Sequence, residues 1–196
     1  MPDVHRRLSD PRELQALAHP VRMAIIEQLS ISGPLTATEL ADRLDETPAN
    51  CSWHLRKLAK FGFVEEAEGG TGRQRPWQVP GIGFSWEDED GSASAEQRRA
   101  AQAMSEVAMA RAMDRLRQAQ HRVADEPEPW RQAQSSAEMV AWLTPEELGE
   151  LNDAIRELLY RHHDRLTDQQ ARPEGARLCE LVAWGVPTYF PGVEPA

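Results

Sequence analysis

Helix punctuation is the feature that most constrains residues 9–62, because it cuts them into short helices with defined ends. Ser9 or Asp10 before Pro11 opens a first helix, since proline at the first helical position gives up only an amide that has no partner there. Pro20 opens a second in the same way, with Val21, Ala24, Ile25, Gln28 and Leu29 at helical spacing, and Gly33-Pro34 ends it. Thr36-Ala37-Thr38-Glu39 is a capping box: a threonine and a glutamate three residues on can each satisfy the other's free amide. It begins a third helix whose inner face is Leu40 and Leu44. Thr47-Pro48 starts a fourth, with Cys51, Leu55 and Leu58 on one face, and Gly62 breaks it.

Two short helices joined by a tight turn, the second well capped, fit a helix-turn-helix. A hairpin follows: Phe63-Val64-Glu65-Glu66, a loop holding Gly69, Gly70 and Gly72, then Arg75 to Val79 with Pro76 on an edge. Helix-turn-helix and then a glycine-looped hairpin is the order of a winged helix.

Several runs carry a family likeness. Ala16–Leu29 (A-L-A-H-P-V-R-M-A-I-I-E-Q-L) resembles the opening of ArsR-type bacterial repressors. Thr36–Leu44 and Thr47–Leu58 are similar to that family's helix-turn-helix, including a Ser-x-His-Leu core, and Phe61–Glu66 with Gly72–Trp77 resemble its wing. The likeness covers Ala16 to Val79, under half of the chain. It implies that the fourth helix enters the major groove of duplex DNA, which is wide enough to admit it.

On that reading the outward positions of the fourth helix are Ala49, Asn50, Ser52, Trp53, Arg56 and Lys57. Asn50 and Arg56 have forked donors suited to base edges, while Ser52, Lys57 and Lys60 suit phosphates. Thr36 and Thr38 place hydroxyls and free amides at a helix start, where a phosphate can sit. Arg73 and Arg75 on the wing reach the backbone or a minor groove. Trp53 either packs on a thymine methyl or sugar, or folds back on the wing. His54 and Cys51 are expected to be structural, with His54's polar atoms satisfied.

A formal net charge of −10 argues against nucleic acid until its distribution is read. Residues 1–80 hold 10 Lys and Arg against 11 Asp and Glu, and residues 81–196 hold 12 against 21. The acidity belongs to the second half. Between Thr47 and Lys60 there are three cations and no acid. The other use of such a helix is as a charged protein-binding face.

Metal sensing and catalysis lack their residues. Where the ArsR-type thiolate box would fall, Ala41 and Arg43 stand in the cysteine positions, and Cys51 and Cys179 are far apart. The adjacent His162 and His163 diverge by about 100° on a helix. No phosphate loop, nucleophile elbow or zinc-protease pair occurs, so neither a metal, a cofactor nor an enzymatic activity is expected. No run is apolar and long enough to span a bilayer and no apolar core follows the N-terminal charges, so membrane insertion and secretion are not expected, and the unpaired cysteines fit a reducing cytoplasm.

Beyond an acidic stretch taken as a linker (residues 83–94), the run from Ala95 to Val123 lacks glycine and proline and predicts one long helix. Met104, Ala108, Met109, Ala112, Met113, Leu116, Ala119 and Val123 form its apolar stripe. The resemblance implies that this helix pairs with its copy in a second subunit; the other reading is packing within one chain. Pro127 and Pro129 stop it. Residues 134–190 then read as strand, helix, strand: Met139–Leu143, a helix capped by Thr144-Pro145-Glu146-Glu147, and Arg177–Trp184. The helix carries Leu148, Leu151, Ile155, Leu158, Leu159 and His162 on one face. This module either pairs with a dimer mate or lines a small-molecule pocket with Met139, Trp142, Trp184 and Tyr189.

The expected fold is therefore mainly α with small β: a winged helix-turn-helix (9–82), the linker, a long dimerisation helix (95–124) and a C-terminal α/β module (134–190). The expected function is a cytoplasmic, homodimeric DNA-binding repressor, with a winged-helix protein-interaction module or a ligand-responsive regulator as alternatives.

Overall fold

The computed structural model describes residues 6–69, 75–80, 83–86 and 91–192. It is mainly helical with short strands, and it divides into two units, residues 1–121 and 122–196.

In the first unit the sequence caps form as hydrogen bonds. Helix α1 (Pro11–Leu17) is capped by Asp10, whose carboxylate accepts from the Arg12 amide at 2.8 Å. Helix α2 (Pro20–Ser32) is capped by His19, whose Nδ1 accepts from the Val21 amide at 3.2 Å. It ends at Gly33, where φ is 77° and a side chain would be strained. Helix α3 (Ala37–Leu44) opens on the reciprocal Thr36–Glu39 box and closes on Asp45 in the left-handed region. Helix α4 (Pro48–Ala59) is capped by the Thr47 hydroxyl, which accepts from the Asn50 amide at 3.2 Å.

These helices enclose one core. Leu14, Leu17, Ile25, Leu29, Leu40, Leu55, Leu58 and Phe63 are buried together, so α4 rests its inner face on all three preceding helices. The wing is present: β2 (Glu65–Glu66) pairs antiparallel with β3 (Trp77–Gln78), and Leu35 bridges to Trp77. A pair not anticipated from the sequence joins β1 (Arg6–Arg7) to β4 (Phe84–Ser85) in parallel. The segment taken as a linker thus begins as a strand, and Trp86 next to it donates from its indole N–H to Ser105 Oγ at 2.8 Å. Glu87 to Asp90, the acidic centre of that segment, lie outside the described residues.

Helix α5 (Ala95–Arg122) matches the long helix expected. Its stripe, however, is partly covered by its own chain: Met104 is 1% exposed within the core and Ala112 is buried. Glu27 on α2 fastens the helix, receiving both Arg111 and Arg115, the latter at 3.0 Å. The two guanidiniums of α5 thus reach one carboxylate of α2. Met104 and Ala112 are therefore corrected from seam to intramolecular core. Ala108 and Met113 are half-buried, and Met109, Leu116 and Ala119 are exposed.

The second unit holds α6 (Glu128–Ala133), α7 (Pro145–Leu159) and α8 (Asp164–Thr167). Helix α7 opens on the reciprocal Thr144–Glu147 box read from the sequence. The segments on either side, 139–143 and 177–184, are not strands: they find no ladder partner. An apolar run becomes a strand only when another edge is offered to its amides and carbonyls. No described residue of this unit is buried. It is tied by polar contacts: Asn152 donates to the Gly185 carbonyl at 3.1 Å, and the Arg177 guanidinium lies 5.0 Å from the Trp130 ring. A side chain at Gly185 would displace the Asn152 side chain from this contact.

Candidate nucleic-acid interface

Helix α4 has two unlike faces. Cys51, His54, Leu55 and Leu58 are buried, while Ala49, Trp53, Arg56, Lys57 and Lys60 are exposed. Burial against three helices fixes the helix axis, and the Thr47 cap fixes its start, so the exposed side chains stand on a rigid support.

Trp53, Arg56, Lys57 and Lys60 recur at helical spacing and form one stripe. The Trp53 indole is 49% exposed, with Lys57 Nζ 5.2 Å from its ring centre and the His54 ring edge-on at 4.7 Å. It does not fold into the core. The cation over its face holds it upright beside Arg56. Arg56 and Lys60 have no ion-pair partner among the described residues.

Other expected site residues are already engaged. Asn50 is half-buried and its Nδ2 donates to Glu46 at 2.7 Å, so its forked amide is partly used within the chain. Ser52 is also half-buried. The Thr36 hydroxyl donates to Glu39 at 2.8 Å and accepts from the Glu39 amide at 3.2 Å, while that carboxylate also takes the Thr36 amide at 2.7 Å. The proposed phosphate seat at the start of α3 thus already holds a carboxylate, and the Thr36 amide and hydroxyl hold Glu39 below the usual carboxylate range. Thr38 is exposed. On the wing, Arg75 pairs with Glu66 across the hairpin, and Arg73 lies outside the described residues.

Behind the stripe sit two histidines whose rings are 4.8 Å apart, His19 and His54. Burial lowers the basicity of both, and for His54 the neighbouring His19 and Arg22 lower it further. His54 Nδ1 is buried with no hydrogen-bond partner among the described residues, unlike the satisfied histidine expected. Burial also raises the Cys51 thiol above its usual range, which suits a packing role.

Sequence reasoning missed the surroundings of the stripe. It borders an open cleft of about 680 Å³, shared with Arg12 of α1 and Arg22 of α2. Both arginines precede apolar helical runs, but nothing local announces that they converge on α4.

Residues 17–67 match the family model for a helix-turn-helix domain. The chain carries a helix-turn-helix domain. The match runs from the end of α1 through α4 to the first strand of the wing, so the exposed stripe lies on the second helix of the motif. A domain of this type points to DNA binding and regulation. No curated protein matches it.

The aromatic group expected to line a pocket in the second unit does not enclose one. Trp142 is 77% and Tyr189 88% exposed, and Met139 and Trp184 are also open to solvent. With no strand pair to curve around them, these side chains stand apart on the surface. Among the described residues no three His, Cys, Asp or Glu side chains gather into a metal-holding group. No helix among them is long and apolar enough to cross a membrane.

Proposed function

We propose that the chain is a homodimeric transcriptional regulator of the ArsR-like kind, acting in the cytoplasm as a repressor that reads a palindromic operator. Helix α4 enters the major groove, with Arg56 on base edges, Lys57 and Lys60 on phosphates, and Trp53 against a thymine methyl or sugar. Thr38, Ala49 and Ser52 line the approach, and Arg73 and Arg75 bring the wing to the backbone. Asn50 and Thr36 act first as structural residues, through Glu46 and Glu39.

The carrying observation is the exposed Trp53–Arg56–Lys57–Lys60 stripe, backed by a buried face on a capped helix within a helix-turn-helix domain. An overall charge of −10 does not oppose this, because the acids lie mainly beyond residue 80.

Self-association has its own support. Met109, Leu116 and Ala119 remain uncovered on α5. The second unit also leaves large apolar residues such as Leu178, Leu181 and Trp184 in solvent. A second copy would cover the α5 face, and two α4 helices about 34 Å apart would meet successive major grooves.

Selection from random-sequence duplexes with the purified chain tests the reading. A palindromic consensus is expected, and Arg56→Ala should lose about 1–3 kcal/mol at one base position of each half-site. Equal binding of parent and variant to every duplex would remove Arg56 from the interface, and failure to select any sequence would overturn the proposal.

A further inference from the structure

We propose that the cleft between α1, α2 and α4 binds a small phosphorylated ring compound of nucleotide size. Arg22, Arg12, Arg56 and Lys60 would hold its phosphates, and Trp53 would meet its ring.

Arg22 carries the argument. It lines the cleft but is only 7% exposed, and its Nε has no hydrogen-bond partner among the described residues. Among the described residues its guanidinium donates to a neutral acceptor, Nη2 to the Gln15 carbonyl at 3.1 Å. No carboxylate pairs with it among the described residues. A buried guanidinium without a counter-charge is costly, and an anion delivered to it removes that cost. Burial lowers its basicity, the direction an unpaired cation takes on leaving water.

The rest of the cleft defines what the anion brings with it. Lys57 adds to the cations at its edge, while Arg12 is held in a forked pair by Asp10. Several cations call for a ligand with more than one negative charge, and guanidinium forks match phosphate oxygens two at a time. A volume of about 680 Å³ exceeds what a free phosphate fills and lies within the range of small-molecule sites. The half-exposed indole supplies an apolar face for a planar group.

A duplex presents the same phosphate chemistry, but Arg22 is only 7% exposed, and a free phosphate has more ways to approach it than one fixed in a stiff backbone. Trp53, Arg56 and Lys57 belong to both the cleft and the proposed DNA face, so an occupied cleft would compete with DNA. That regulatory consequence rests on the DNA reading above; the binding itself does not.

The test uses the full chain and ADP as the probe, with titration calorimetry and tryptophan fluorescence. ADP should bind saturably, and adenosine and inorganic phosphate should each bind at least ~10-fold more weakly. Arg12→Ala and Lys60→Ala, both at exposed positions that leave the core intact, should each weaken ADP several-fold. Trp53→Phe should abolish most of the fluorescence change. ADP binding no better than adenosine or phosphate, or binding indifferent to both charge variants, would overturn the site. Duplex binding without ADP binding would sink the site and leave the DNA reading standing. ADP binding without duplex binding would do the reverse, and simultaneous binding without competition would refute the regulatory link.

Discussion

Met104→Ala separates packing within a chain from packing between chains. Met104 is 1% exposed and lies in the same core as Leu55, Leu58 and Phe63, through which α5 docks on the winged helix. The change removes three heavy atoms beyond Cβ. At about 0.8 kcal/mol per buried methylene-sized group the transfer loss is roughly 2.4 kcal/mol. A partly unrelaxed cavity raises the total to about 3–4 kcal/mol. Two further links, Arg111 and Arg115 to Glu27, hold α5 in place, so the cavity cannot close by simple withdrawal of the helix. Urea denaturation followed by far-ultraviolet circular dichroism, at several protein concentrations, reads the difference. The expected result is a midpoint shift of that size that does not depend on concentration. The control is Met109→Ala, 46% exposed on the same helix, which should cost well under half as much. A loss below about 0.5 kcal/mol for Met104→Ala, or one seen only under dilution, would refute the intramolecular docking of α5.

Other consequences lie in the helix surface and the histidine pair. Leu116→Glu, at an exposed α5 position, should halve the mass in light scattering without lowering the stability of the winged helix; an unchanged mass rejects the seam. Because burial lowers His54 below its ordinary value of 6.5, the unfolded chain takes up a proton that the folded chain refuses. Its contribution to stability is therefore complete above about pH 6.5 and is lost as pH falls through the folded value. Denaturation at pH 7.5 and pH 5.5 should show that loss, and His54→Leu should reduce it. The variant should also cost little at pH 7.5, since Nδ1 gives up no hydrogen bond. A parent stability that does not change over this interval would contradict the assignment.

Legibility in the sequence followed the range of the interaction. The caps at Asp10, Thr36, Thr47 and Thr144 were readable because each bond spans two or three residues. The inner face of α4 was readable from periodicity alone, and so was the extent of α5. The β1–β4 pair was not, since two residues of strand meet two others nearly eighty positions away with no turn between them. Residues 139–143 and 177–184 misled for the opposite reason: they have strand composition but no neighbouring edge. At the site, the identity of the exposed residues was legible, whereas their engagement was not. The capping box already put Glu39 in the seat at Thr36, and the Glu46–Asn50 bond spans only four residues, but that Arg12 and Arg22 would converge on α4 depends on tertiary placement.

The salt dependence of DNA affinity tests the central claim most directly, compared between the parent chain and Lys60→Ala on one selected duplex. Counterion release requires log affinity to fall linearly with log salt, by about 0.9 for each phosphate neutralised. The account requires a steep slope for the parent, and a slope shallower by about that amount for each Lys60 contact removed. An affinity independent of salt, or an identical slope for the two proteins, would contradict the placement of this stripe against a nucleic-acid backbone.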